Sequence, residues 1–146
     1  PWTYIRLAEI YLIAAEACIE LNKLDEAVKY IDALRNRIEI KDTKAALIAQ
    51  GKSFTQEDMR EFVRHERRVE LACEGLRWND LCRWKAGKLL ENEKTYLGAR
   101  DPETGEYYVI YPNMKRLWYD RLYLYPIPTD EFIYNPNLLP QNPGWE

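Results

Sequence analysis

The stretch from Ile5 to Leu21, IRLAEIYLIAAEACIEL, is apolar on most sides of a helix. Leu7, Ile10, Tyr11, Ala14, Cys18 and Leu21 recur at the i, i+3, i+4, i+7 spacing of one helical face. Ile5, Leu12, Ile13, Ala15 and Ile19 add apolar surface elsewhere, and Arg6, Glu9, Glu16 and Glu20 leave only a narrow charged stripe. Such a helix has to be covered from more than one direction.

The sequence that follows supplies partners for it. Asn22-Lys23 reads as a short turn, and Asp25 is suited to cap a second helix through its side-chain oxygen. That helix carries Leu24, Ala27, Val28, Ile31, Leu34 and Ile38 on one face, so the two form an antiparallel hairpin. Ala15 and Ala27 stand where tetratricopeptide repeats place small residues for close helix approach, although the Trp and Gly of that repeat are missing. Residues 40–54 form a looser link with a short helix over Lys44–Ala49. Thr55 and Asp58 have the spacing of a capping box, so a third long helix is expected from Gln56 toward Trp84. Gly75 weakens that helix by roughly 1 kcal/mol relative to Ala, which marks a break or a close approach. Gly87 is expected to close it.

Beyond Gly87 the character changes. Asp101-Pro102-Glu103-Thr104-Gly105 is a turn signal before a short strand over Glu106–Tyr111. Tyr123–Pro128 is extended because Pro disfavours helix in the residue before it. Thr129 starts one turn of helix through Tyr134. The Pro-rich end, NPNLLPQNPGWE, is expected to pack across the helices so that Leu138, Leu139 and Trp145 are buried. The fold class is therefore mainly α, with helical hairpins of tetratricopeptide-like character, irregular C-terminal segments and at most a short β-hairpin. A helical part over 1–87 precedes a loop-rich wrapping part over 88–146.

The 146 residues suit one domain with its own core. Twenty-one basic against 24 acidic residues, interleaved in sequence, give no basic surface for a nucleic acid. No apolar run reaches membrane-spanning length. The chain opens on Pro, so it is read as a fragment or a processed product. Cys18, Cys73 and Cys82 with the single His65 contain no CxxC and give no metal site. On one continuous helix Cys73 and Cys82 would lie about 13 Å apart, too far for a disulfide, and all three read as small buried hydrophobes.

The densest charge lies in ERRVELACEGLRWNDLCRW, Glu66 to Trp84. On a helix Glu66, Glu70 and Glu74 would stack and repel. Arg67 lies three residues before Glu70, Arg77 three after Glu74, and Asp80 three from both Arg77 and Arg83. The run reads as a structural ladder of alternating sign, with Val69, Cys73, Leu76 and Trp84 toward a core. General acid–base work needs a carboxyl with a raised pKa across a cleft from another. An Arg beside each acid is expected to lower its pKa instead. No G-x-S-x-G or Gly-rich phosphate loop occurs, and His65 reads as a solvated helical residue. No catalytic residue and no cofactor is expected.

Four stretches, in order, resemble the C-terminal part of the SusD/RagB family of outer-membrane nutrient-binding lipoproteins. YIRLAEIYLIAAEA (Tyr4 to Ala17) is similar to the family's Arg-x-Ala-Glu-x-x-Leu-x-x-Ala-Glu-Ala helix. YIDALRNR (Tyr30 to Arg37) resembles its Ile-Asn-x-x-Arg-x-Arg stretch, with Asp32 in place of Asn. The charged run resembles its Glu-Arg-x-x-Glu-Leu-x-x-Glu-Gly-x-Arg-x-x-Asp-Leu-x-Arg-Trp signature, and YPIPTDEFIYNPNLLPQNPGW its terminal Pro-Ile-Pro, Asn-Pro and Gln-Asn-Pro-Gly-aromatic elements.

The resemblance implies a non-enzymatic protein, lipid-anchored outside this stretch on the outer face of the outer membrane. It implies binding of an oligosaccharide or peptide and delivery to a SusC-like TonB-dependent transporter. No binding residue carries over by motif, and the matching motifs read as scaffold. If a glycan touches this stretch, aromatic faces are the expected contacts, with Tyr107, Tyr111 and Trp118 as candidates. The alternative is a tetratricopeptide-like protein–protein interaction module, for which one clear hairpin is few.

Overall fold

The computed structural model describes residues 5–92, 98–109 and 116–146. They form two compact units, one ending at Arg77 and one beginning at Trp78.

The first unit is helical. Helix α1 (Leu7–Glu20) and α2 (Leu24–Arg35) form a hairpin, followed by a 3-10 turn (Asn36–Ile38), α3 (Thr43–Ala49) and α4 (Gln56–Glu70). The core is shared by Ala8, Leu12, Ala15 and Ile19 of α1, Ala27, Ile31 and Leu34 of α2, Ala46 and Leu47 of α3, and Met59, Phe62 and Val63 of α4. The inward stripe of α1 is therefore not the one marked by Leu7, Ile10 and Leu21, which are exposed. The small Ala8 and Ala15 share the inward stripe with Leu12 and Ile19, and small residues let neighbouring backbones approach. Ala15 and Ala27 are both fully buried in this core.

Helix ends are closed by backbone geometry. After α1, Asn22 takes a left-handed φ of 56°. Its N–H reaches the Ile19 carbonyl at 2.9 Å while Lys23 N–H reaches that of Cys18 at 2.8 Å, a Schellman pair. Gly51 (φ 69°) and Lys52 repeat the pattern on Ile48 and Leu47 after α3. The start of α2 differs from expectation: Lys23 is the cap residue, and Asp25 lies inside the first turn and accepts a hydrogen bond from Lys44 Nζ at 2.7 Å. There its negative charge still suits the helix N-terminus. Asp42 caps α3, accepting from Ala45 N–H at 2.8 Å. Asp32 Oδ1 takes the backbone N–H and hydroxyl of fully buried Thr43 at 2.7 and 2.6 Å, tying α2 to α3. Thr55 caps α4, accepting from Asp58 N–H at 3.3 Å, and the Asp58 carboxylate accepts from Ser53 N–H at 2.9 Å.

The long helix expected from Gln56 to Trp84 is two helices. α4 stops at Glu70, and α5 runs from Arg77 to Arg83. Between them Cys73 (φ 65°) and Gly75 (φ 79°) both take left-handed backbone, which no α-helix accommodates. A side chain at Gly75 would meet nothing within 4 Å, so this glycine serves the turn and not close packing. Losing the helix also turns Cys73 outward, and Val69 near the end of α4 is exposed, while Leu76 and Trp84 are half-buried. The three thiols are free; Cys73 is exposed, and Cys18 and Cys82 are half-buried.

In the second unit α5 is closed by Lys85 (φ 53°), with Lys85 N–H on Cys82 O at 3.1 Å and Ala86 N–H on Leu81 O at 2.9 Å. Gly87 thus lies past the helix end. A short helix α6 (Leu89–Asn92) and the antiparallel strands β1 (Gly98–Arg100) and β2 (Tyr107–Val109) follow, with Ala99 opposite Tyr108. The strands are joined through the Asp101–Gly105 turn, where Asp101 Oδ1 accepts from Glu103 N–H at 2.8 Å. Those backbone donors hold the Asp101 carboxyl below its usual range. Helix α7 spans Thr129–Tyr134. The Pro-rich tail is fastened to residues 121–127. Gln141 exchanges two 2.8 Å hydrogen bonds with the backbone of Ile127, and Trp145 Nε1 donates to Leu124 O at 2.8 Å. Polar fastening replaces the expected burial: Leu138 and Leu139 are exposed and Trp145 is only half-buried.

Candidate functional site

The acids of the charged run find arginines from other elements. Arg6, just before α1, donates from Nε to both oxygens of Glu74 at 2.9 Å, from Nη1 to Glu70 at 2.7 Å, and from Nη2 to the Glu70 backbone carbonyl. That last contact satisfies a carbonyl left open by the end of α4. Arg37 adds a bond to Glu70 at 2.9 Å. At the other end of the same helix pair, Gln56 Nε2 donates to Ile19 O at 2.8 Å. Arg60 forks onto Glu20 at 2.7 and 2.8 Å. α1 and α4 are thus antiparallel and stitched at both ends.

One rung lies deeper. Arg35 is buried, stands 5.3 Å from the Phe62 ring centroid, donates to Lys41 O at 2.6 Å and pairs with Glu66. Arg67 is buried on α4, Arg77 opens α5, and Asp80 accepts from Arg83 at 2.9 Å. Because α4 ends at Glu70, Glu74 is not stacked one helical turn beyond it. Its partner is the distant Arg6.

The electrostatics divide the acids. Hydrogen bonding to Arg6 holds Glu74 below the usual carboxylate range and pushes the Arg6 guanidinium up. Burial pushes Glu70 up, but the bonds from Arg6 and Arg37 outweigh it and leave the carboxyl lowered. Glu66 goes the other way: burial raises its pKa more than Arg35 lowers it. The expectation that a neighbouring Arg lowers every acid of the run therefore fails at Glu66, where loss of water is the larger effect. A raised carboxyl alone does not make an acid–base pair, since its neighbour Glu70 is clasped by two arginines.

The arginines that matter here, Arg6, Arg35 and Arg37, stand in stretches distant from the acids. Intrahelical spacing cannot reveal such partners. The available signal was Arg35 and Arg37 closing a helix face that ends beside an apolar core.

The aromatic candidates divide too. Tyr111 lies outside the described residues, and Tyr107 is placed on β2. Trp118 is buried against Tyr123 (ring centroids 4.8 Å) and Trp78 (5.5 Å), so its faces are taken up by packing. Tyr125, 6.4 Å from Trp78, is the exposed ring of this group. Among the described residues no group of His, Cys, Asp or Glu has the arrangement to hold a metal ion, and no helix is long and apolar enough to cross a membrane.

Comparison with known proteins places this architecture. SusD-like protein P2 of Formosa agariphila is 34% identical over 142 residues, covering 97% of this chain and 25% of its own length. SusD-like protein P25 of the same organism is 37% identical over 135 residues, covering 92% of this chain and 22% of its own length. The crystal structure of a SusD-like protein from Bacteroides fragilis superposes with a TM-score of 0.77 at 34% identity, over 99% of this chain and 26% of that one. A SusD superfamily protein from Bacteroides vulgatus gives 0.68 at 28% identity, over 97% and 27%. The chain spans about a quarter of the length of these relatives. The model of the SusD family matches residues 1–145, and the chain belongs to that family.

Proposed function

We propose that this chain is part of a non-catalytic nutrient-binding protein of the cell surface. In this reading the whole protein is lipid-anchored on the outer face of the outer membrane, captures an oligosaccharide or peptide, and delivers it to a SusC-like TonB-dependent transporter. The stretch described here supplies mainly scaffold and partner surface.

The observation that carries the reading is the family match over residues 1–145. The geometry agrees with a scaffold role. Glu70 and Glu74 are committed to Arg6, and Trp118 is committed to packing, so these groups hold the fold and leave no open reactive pair. In this reading Glu66, Glu70 and Glu74, held by Arg35, Arg37 and Arg6, fix the helices of the first unit against one another.

Two measurements on the full-length protein test it. Titration with candidate oligosaccharides is expected to give saturable binding with no turnover. Affinity capture from outer membranes is expected to recover a TonB-dependent transporter. Hydrolysis of a bound glycan by the purified protein would overturn the non-catalytic assignment.

A further inference from the structure

We draw no further inference here: the strongest candidate, the outer apolar face of α1 formed by Leu7, Ile10, Ile13 and Leu21, is exposed, and nothing in the structure of a chain about a quarter the length of its relatives shows what covers it.

Discussion

Gly87 lies so close to the indole of Trp118 that a Cβ there would fall 2.0 Å from Cζ2 and 2.1 Å from Cε2. The ring has little freedom to retreat. Tyr123 and Trp78 pack against it, the Trp118 backbone N–H is held by Glu91 at 3.0 Å, and the Gly87 N–H donates to the Tyr123 hydroxyl at 3.1 Å. Gly87→Ala should therefore destabilise the protein by about 1–3 kcal/mol through overpacking. Adding Trp118→Leu should shrink the penalty that Gly87→Ala carries, because the smaller side chain leaves room for the methyl group. Thermal melts of the wild type, the two single variants and the double variant make this a double-mutant cycle. A melt of Gly87→Ala equal to wild type would contradict the packing.

The Arg6 clamp should matter more than an exposed ion pair of equal length. Arg6 is 29% exposed and Glu70 18%, and the clamp also satisfies the last carbonyl of α4. Arg6→Gln should cost roughly 1–2 kcal/mol, between the limits for exposed and buried pairs. Lys44→Gln removes an open pair with Asp25, 52% and 79% exposed, and should change stability by less than about 0.5 kcal/mol. Urea titrations in which the two variants lose equal stability would show that the clamp is a surface feature.

Acid should separate Glu66 from its neighbours. Glu20, Glu70 and Glu74 have lowered folded pKa values, so their contribution is present above the ordinary 4.5 and is lost as pH falls through the lowered values. Glu66 has a raised folded pKa, so its contribution is full below 4.5 and fades as pH rises through the raised value. Stability of the wild type should fall on acidification from about pH 5 to about pH 3, since four lowered carboxyls, Asp101 included, oppose one raised carboxyl among the described residues. Arg6→Gln should flatten that fall. Glu66→Gln should steepen it, because the one group whose protonation favours the fold has been removed. Melting temperature against pH for the three forms checks the signs.

Much of the first unit could be anticipated because its signals are local. Thr55 marks the start of a helix through its own hydroxyl, and Asn22 marks an end through its tolerance of left-handed backbone. What escaped was set by distant contacts. The spacing in α1 fits two apolar stripes, and only the packing of α2 and α4 decides that Leu12 and Ile19 face inward while Ile10 and Leu21 do not. The charged run could be recognised as paired, yet the arginines on Glu70 come from before α1 and after α2, 64 and 33 residues away. The raised carboxyl of Glu66 is illegible for a related reason: burial is a property of the assembled core, and no neighbour in sequence reports it. The helix break was half legible, since Gly75 signals it and Cys73 does not.

That break yields a last prediction, with two substitutions of opposite sign. Cys73 holds φ 65° although its side chain gains nothing there by burial. The left-handed region costs a residue with a Cβ about 1–2 kcal/mol, and glycine none of it. Cys73→Gly should remove that strain but give back entropy in the unfolded chain, for a net gain of about 0–1 kcal/mol. Gly75 holds φ 79° with open space around it, so Gly75→Ala meets no steric neighbour and carries the backbone strain alone. It should lose about 1 kcal/mol. Chemical denaturation of both variants separates the causes. Were α4 and α5 one continuous helix in solution, Gly75→Ala would stabilise and Cys73→Gly would destabilise, the reverse of both signs.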